Sequence, residues 1–203
     1  MNNNEDDFLT LSLSINSFPN LGLSPLSTTS TQSTAEEKNE TITPPYPWAT
    51  SRHAIVHTVD YLVSKEITII SGDVQCKKCQ QQYKIQYDLQ DKFNEIAKFI
   101  FKNKKNMHDR APNIWMTPIL PNCKYCNQIL PNCKYCNQRN CVKPIISKDV
   151  SINWLFLLLG QTIGCCKIDQ LKYFCKHTNI HRTAAKNRLV YLTYMELCKQ
   201  LDP

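Results

Sequence analysis

Glycine is nearly missing from this chain: there are four among 203 residues, at positions 22, 72, 160 and 164. A phosphate-cradling loop needs several closely spaced glycines so that backbone amides can approach the anion, and that pattern is absent. There is no Gly-x-Ser-x-Gly elbow to present a nucleophile. No carboxylate pattern near the histidines would hold a catalytic cation. A zinc-supported nuclease using His177 or His181 as base beside Arg182 is thus the third-ranked reading, and the expectation is a non-enzymatic protein. Long apolar runs are missing too. The longest, Trp154 to Leu159, is far too short to span a bilayer, so no membrane role is expected. The amino terminus, MNNNEDDF, lacks the cationic and apolar regions of a signal peptide, and the chain is not read as secreted.

Negative charge is scarce outside the first 45 residues. The chain carries a net charge of +7, and residues 1–45, with Lys38 alone against six carboxylates, carry −5; residues 46–203 therefore carry +12. Residues 1–43 are rich in Asn, Ser and Thr and have too few spaced apolar groups to bury, which predicts a disordered acidic arm. Residues 44–203 are expected to form a single domain, ribbon-like over 67–146 and helical over 151–203. Its basic surplus suggests an acidic partner, DNA or a DNA-bound protein first, with RNA as the alternative. Lys98, Lys102, Lys105, Lys172, Lys176 and Arg188 are candidate phosphate contacts, although spacing alone makes the first three a solvated helix face.

What the chain does have is cysteine, eleven in all. In a reducing compartment paired Cys-x-x-Cys units are better explained by metal than by disulfides. Cys76 and Cys79 form one unit. Two more lie in a ten-residue string written twice without change: ILPNCKYCNQ at 119–128, with Cys123 and Cys126, and at 129–138, with Cys133 and Cys136. Two residues between cysteines let both thiolates of a tight turn face one ion, and two such knuckles complete a tetrahedral four-thiolate zinc site. The expected ligands are Cys76, Cys79, Cys133 and Cys136, or Cys123 and Cys126 in place of the last two, since identical copies cannot be ranked by their chemistry. The interval of 43 or 53 residues after Cys79 exceeds that of typical ribbons. One structural zinc per chain is expected, because four thiolates leave no open position for water. The surplus knuckle is read as a duplication inserted in a loop, where extra length costs little, rather than as a second site with Cys141 and a histidine. Cys165, Cys166 and Cys175 are read as small buried apolar groups, and His53, His57, His177 and His181 as surface or cap groups.

The elements follow from periodicity. Ile55, Val56, Val59, Leu62 and Val63 predict a helix from Ser51 to about Lys65. Period-two alternation on both sides of Cys76 and Cys79 predicts a hairpin with the knuckle at its tip. A helix with Phe93, Ile96, Ala97, Ile100 and Phe101 inward follows. Val142–Ile146 reads as a strand that Pro144 confines to an edge. Ser151 is placed as the cap of a buried helix running to Gly164, with helices around Ile168–Cys175 and from Thr183 to Leu201 beyond it. The fold class is α+β: a zinc-ribbon-like β-hairpin packed with several α-helices.

Within the arm, Leu9, Leu11 and Leu13 fall on one side of an extended segment, with Thr10 and Ser12 on the other. This Leu-x-Leu-x-Leu string resembles the EAR repression motif of plant transcriptional regulators. That resemblance implies capture of a Topless-type corepressor in a groove and a nuclear location. The body, through PPYPWAT, GDVQCKKC, MHDRAPNIWM, PNCKYC, KPII, SINWLFLLLGQ, LKYFCKHT, HRTAAKNR and YMELCKQLDP, resembles a plant family known only as domain of unknown function 7086. The resemblance supports pairing Cys76 and Cys79 with a later knuckle that occurs once in the family pattern.

Overall fold

The computed structural model describes residues 41–125, 141–181 and 183–203. The expected arm, with Leu9, Leu11 and Leu13, therefore lies outside the described residues except at its last positions. So do Cys126, Cys133, Cys136 and Arg182.

Among the described residues the chain forms six α-helices and a three-stranded sheet. The strands are β1 (Ile69–Cys76), β2 (Gln82–Asp88) and β3 (Val142–Pro144), in the order β2-β1-β3, with both pairings antiparallel. The hairpin alternation predicted the β1–β2 pairing, while Gly72, whose type suggests a turn, lies inside β1 opposite Ile85. Ile70, Val74 and Cys76 turn inward while Ile69 and Asp73 face out, and Val74 lies between Tyr83 on one side and Pro144 on the other. Pro144 sits on the edge strand, where its missing amide costs no ladder bond.

The helices are α1 (Val59–Ser64), α2 (Leu89–Met107), α3 (Asn113–Met116), α4 (Trp154–Leu159), α5 (Ile168–His177) and α6 (Lys186–Leu201). All six residues of α4 are buried, as a helix that is apolar all round must be. It packs on β1, α2 and α6 and so forms the centre of the body; α5 and α6 pack on each other beside it.

Three expectations needed correction. The helix predicted from Ser51 begins at Val59. Residues 51–54 bend and turn, with Ala54 at φ 59°, between Ala49 and Val56, which form a β-bridge; the Val56 amide donates to Gln200 Oε1 at 3.0 Å, so a distant residue overrides the local spacing. On α2 the buried stripe is Leu89, Ile96, Ile100 and Met107, with Phe99 against the Trp115 ring at 5.4 Å. Phe101, expected inward, is 78 % exposed, because one residue past Ile100 turns the side chain about 100° off the stripe. The cap of α4 is Asn153 and not Ser151, which lies in a 3-10 turn, and the helix stops at Leu159.

Asn153 ties three segments together. Its Oδ1 accepts from Trp48 Nε1 at 3.0 Å and from the Phe156 amide at 3.2 Å, and its Nδ2 donates to the Ser71 carbonyl at 3.0 Å. Asn153→Ala strands all three partners, each worth about 1 kcal/mol. The variant is expected to lose about 3 kcal/mol, and a denaturant midpoint equal to that of wild type would contradict this.

Candidate metal centre

β1 delivers Cys76 to the turn end of the hairpin, fully buried, and the chain then turns tightly through Lys77–Gln80. Gln80 adopts φ 60°, its amide donates to the Cys76 carbonyl at 3.1 Å, and Cys76 in turn donates to the Gln81 carbonyl at 3.0 Å. This geometry aims the Lys78 amide at Cys76 Sγ, 3.3 Å away. The same contact recurs at the second segment: the Tyr125 amide lies 3.4 Å from Cys123 Sγ. An amide two residues on, pointing at sulfur, stabilises the thiolate form. Two segments distant in sequence have thus adopted one local design.

The two segments meet. The sulfurs of Cys76, Cys79 and Cys123 all lie within 4.8 Å of one another, with Cys79 Sγ 3.6 Å from Cys123 Sγ. Cys141, at the threshold of β3, places its sulfur 3.8 Å from Cys76 Sγ. Its carbonyl accepts from the Lys77 amide at 2.8 Å, and its own amide donates to the Pro121 carbonyl at 3.3 Å. Hence one peptide frame holds the hairpin tip, the Pro121–Cys123 segment and the start of β3.

The donor set fits a metal ion. Metal–sulfur bonds of about 2.3 Å in a tetrahedron set sulfurs about 3.8 Å apart, close to the two short separations seen here. Soft thiolates select zinc and related ions over magnesium or calcium. Thiols this close cannot ionise together without a cation. Burial raises the Cys141 thiol above its ordinary range despite the Cys123 amide, and the sulfurs of Cys76 and Cys123 raise it further. Tyr83 covers the cluster. Its hydroxyl is pushed up to about 12 by burial and then by Cys123, while its ring meets Tyr125 edge-on at 5.2 Å. Lys124 Nζ sits 4.7 Å above the Tyr83 ring and 5.0 Å above that of Tyr125.

Of the expected ligands, the structure brings together Cys76, Cys79 and Cys123, the last from the first copy of the repeat. Cys141 was not among them because it belongs to no Cys-x-x-Cys unit. A signal existed in its position, since it directly precedes the strand that pairs Val142 with Cys76.

The carboxyl-terminal cysteines and histidines do not assemble into a comparable group among the described residues. Cys166 and Cys175 are buried in the core, as expected, and Cys165 is half-buried. His177 instead meets His53, with ring centroids 4.5 Å apart, while Tyr173 Oη lies 2.6 Å from His53 Nδ1. Burial pushes the thiols of Cys166 and Cys198 up to about 12 and that of Cys175 to about 11. In the unfolded chain thiols ionise near pH 8.5. Above that pH the unfolded state holds fewer protons than the folded one, so stability falls as pH rises. We expect the unfolding midpoint to decline steadily between about pH 8.5 and 11; a rise there would refute the assignment.

An α+β body with a largely buried cysteine cluster at the tip of its hairpin defines a cysteine-rich protein positioned to bind a metal ion. The chain belongs to the family described as Domain of unknown function (DUF7086), whose family model matches residues 59–130 and 127–201. No curated protein and no solved structure matches the chain. The two matches overlap within the tandem repeat, so each takes one copy of the knuckle. Deleting residues 129–138 leaves Cys76, Cys79, Cys123 and Cys141 in place, and loop closure changes by only about 1 kcal/mol or less. The deletion variant should bind metal and melt as wild type does, which elemental analysis and a thermal scan would check.

Proposed function

We propose that this protein is a non-enzymatic nuclear transcriptional adaptor whose basic body is built around one structural zinc ion. The observation that carries this reading is the largely buried cysteine cluster: sulfur donors from three segments close around one point, which suits an ion that shapes a surface rather than one that turns over substrate. When bound, the zinc would supply a cross-link between β1, the Cys123 segment and the start of β3. The surface so fixed would meet DNA or a DNA-bound protein through the positive charge of residues 46–203. The acidic arm would lay Leu9, Leu11 and Leu13 into the groove of a Topless-type corepressor. No helix among the described residues is long and apolar enough to cross a membrane.

A second reading, an RNA-binding zinc module, draws on Lys124 standing over Tyr83 and Tyr125 beside the cluster, a pairing of cation and ring that stacks with unpaired bases.

The test has two arms. Corepressor capture by the full chain should vanish when Leu9, Leu11 and Leu13 are all replaced by alanine; unchanged capture sinks the arm's role. Binding to duplex DNA should weaken steeply with salt. If duplex is ignored at low salt while single-stranded RNA is held, the second reading replaces the first.

A further inference from the structure

The sequence offers six cysteines in Cys-x-x-Cys units as ligands and a seventh, Cys141, that belongs to none. We infer that Cys141 is a metal ligand, so that the ion is held by Cys76 and Cys79 of the hairpin knuckle together with Cys123, from the first copy of the repeat, and Cys141, which follows the second copy. The inference deepens the zinc reading above and rests on it.

Three independent features point to Cys141. The first is distance: its sulfur stands 3.8 Å from Cys76 Sγ, the tetrahedral edge that metal–thiolate bonds of about 2.3 Å require. The opposite edge, Cys79 to Cys123, is 3.6 Å. Two edges of a tetrahedron that share no vertex are therefore already near their bound length, and an ion entering between them would draw the rest together. The second is the frame. A ligand must be held rigidly by its backbone. Cys141 is held through its carbonyl by the Lys77 amide, inside the first knuckle, and through its amide by the Pro121 carbonyl, two residues before Cys123. Both ligand segments thus position it. The third is burial: Cys141 is 2 % exposed, beside the fully buried Cys76 and the 6 % exposed Cys123. An ion held among these sulfurs would be shut off from water, as in a closed structural site.

The assignment also gives the duplication a reason to be tolerated. With Cys123 and Cys141 as ligands, the repeat's extra ten residues fall wholly between two fixed points, and closure entropy changes only slowly with the number of residues between such points. An insertion inside a knuckle would instead have broken its amide-to-sulfur turn.

The experiment loads the full-length chain with Co2+ as a spectroscopic stand-in for zinc. Thiolate-to-cobalt charge-transfer absorption counts sulfur ligands, and the visible bands report tetrahedral geometry. Wild type should take one ion with a four-thiolate signature. The triple variant Cys126→Ser, Cys133→Ser, Cys136→Ser should keep that signature in full. Cys141→Ser should lose about a quarter of the charge-transfer intensity, as one sulfur in four is removed. Cys141→His, which can still ligate, should keep one ion with blue-shifted visible bands. The reverse pattern, with Cys141→Ser unchanged and the triple variant losing a sulfur, overturns the assignment while leaving the zinc reading intact. A wild-type chain that takes up no cobalt overturns both. Because the triple variant leaves residue 141 untouched, the result stands even if Cys141→Ser fails to fold.

Discussion

Cys76→Ser is expected to yield a chain that holds no stoichiometric metal and has lost the ordered ribbon end of its body. Cys76 is fully buried and neighbours the sulfurs of Cys79, Cys123 and Cys141. A serine oxygen is shorter, harder and un-ionised at neutral pH, so it cannot replace the thiolate. Structural zinc contributes on the order of 10 kcal/mol in small zinc domains, comparable with the whole net stability of a typical domain. The loss should not spread evenly. The segments that depend on the cluster are the knuckle at Lys77–Gln80, residues 119–125 and β3, which pairs only through Val142–Pro144. Helices α5 and α6 pack on each other and keep their own buried stripe. Amide exchange should therefore accelerate to near the unfolded rate over the first group while remaining slow in α6. A strong chelator applied to wild type should reproduce the pattern, and so should acid, since protons compete for the thiolates. A serine variant that keeps one equivalent of metal and its protected β3 amides would show that the cluster is not what shapes this end of the molecule.

Much of this body could be read in advance, for reasons visible residue by residue. The β1–β2 hairpin was legible because side chains alternate in a strand whatever surrounds it, and Tyr83, Ile85 and Tyr87 kept that rhythm. The edge position of β3 followed from one missing amide at Pro144. The non-helical path before Val59 was not legible, because Ile55 and Val56 happen to fall at helical spacing while their backbone bonds lie with Arg52, Thr50 and Gln200. No local rule contains Gln200. The cap of α4 fell to Asn153 over Ser151 for the same kind of reason: its amide had two further partners, Trp48 and Ser71, in other segments. At the metal centre, Cys76 and Cys79 could be named from spacing alone. The choice between the knuckle copies could not, since identical strings carry no information about which one folds inward. Cys141 required knowing that β3 returns beside Cys76, a fact of sheet order and not of motif.

Gly164→Ala is expected to destabilise the protein by about 3 kcal/mol or more, although it adds a single carbon. Gly164 lies in the 3-10 turn Ile163–Cys165 after α4, with ordinary negative φ, so conformational freedom is not the reason for glycine here. The reason is approach. A Cβ at this position would overlap the carbonyl oxygen of Trp115 and crowd that of Met116. Both are backbone atoms of α3, and they cannot swing aside as a side chain can. Trp115 is itself fixed: its ring is buried, stacked on Tyr194 of α6 at 3.9 Å and tilted against Phe99 of α2. Moving α3 by the ångström or so that a methyl requires would therefore disturb two helices at once. Lys186 adds a further constraint, since its Nζ donates to the Gly164 carbonyl at 2.9 Å and fixes the turn from the other side. Gly72 supplies the comparison. There a Cβ meets the ring of Phe156, a buried side chain but not backbone, so Gly72→Ala should be costly yet cost less than Gly164→Ala. Thermal unfolding of both variants, each loaded with metal, gives the ranking; equal midpoints, or Gly72→Ala as the weaker protein, would show that α3 yields more readily than its packing implies.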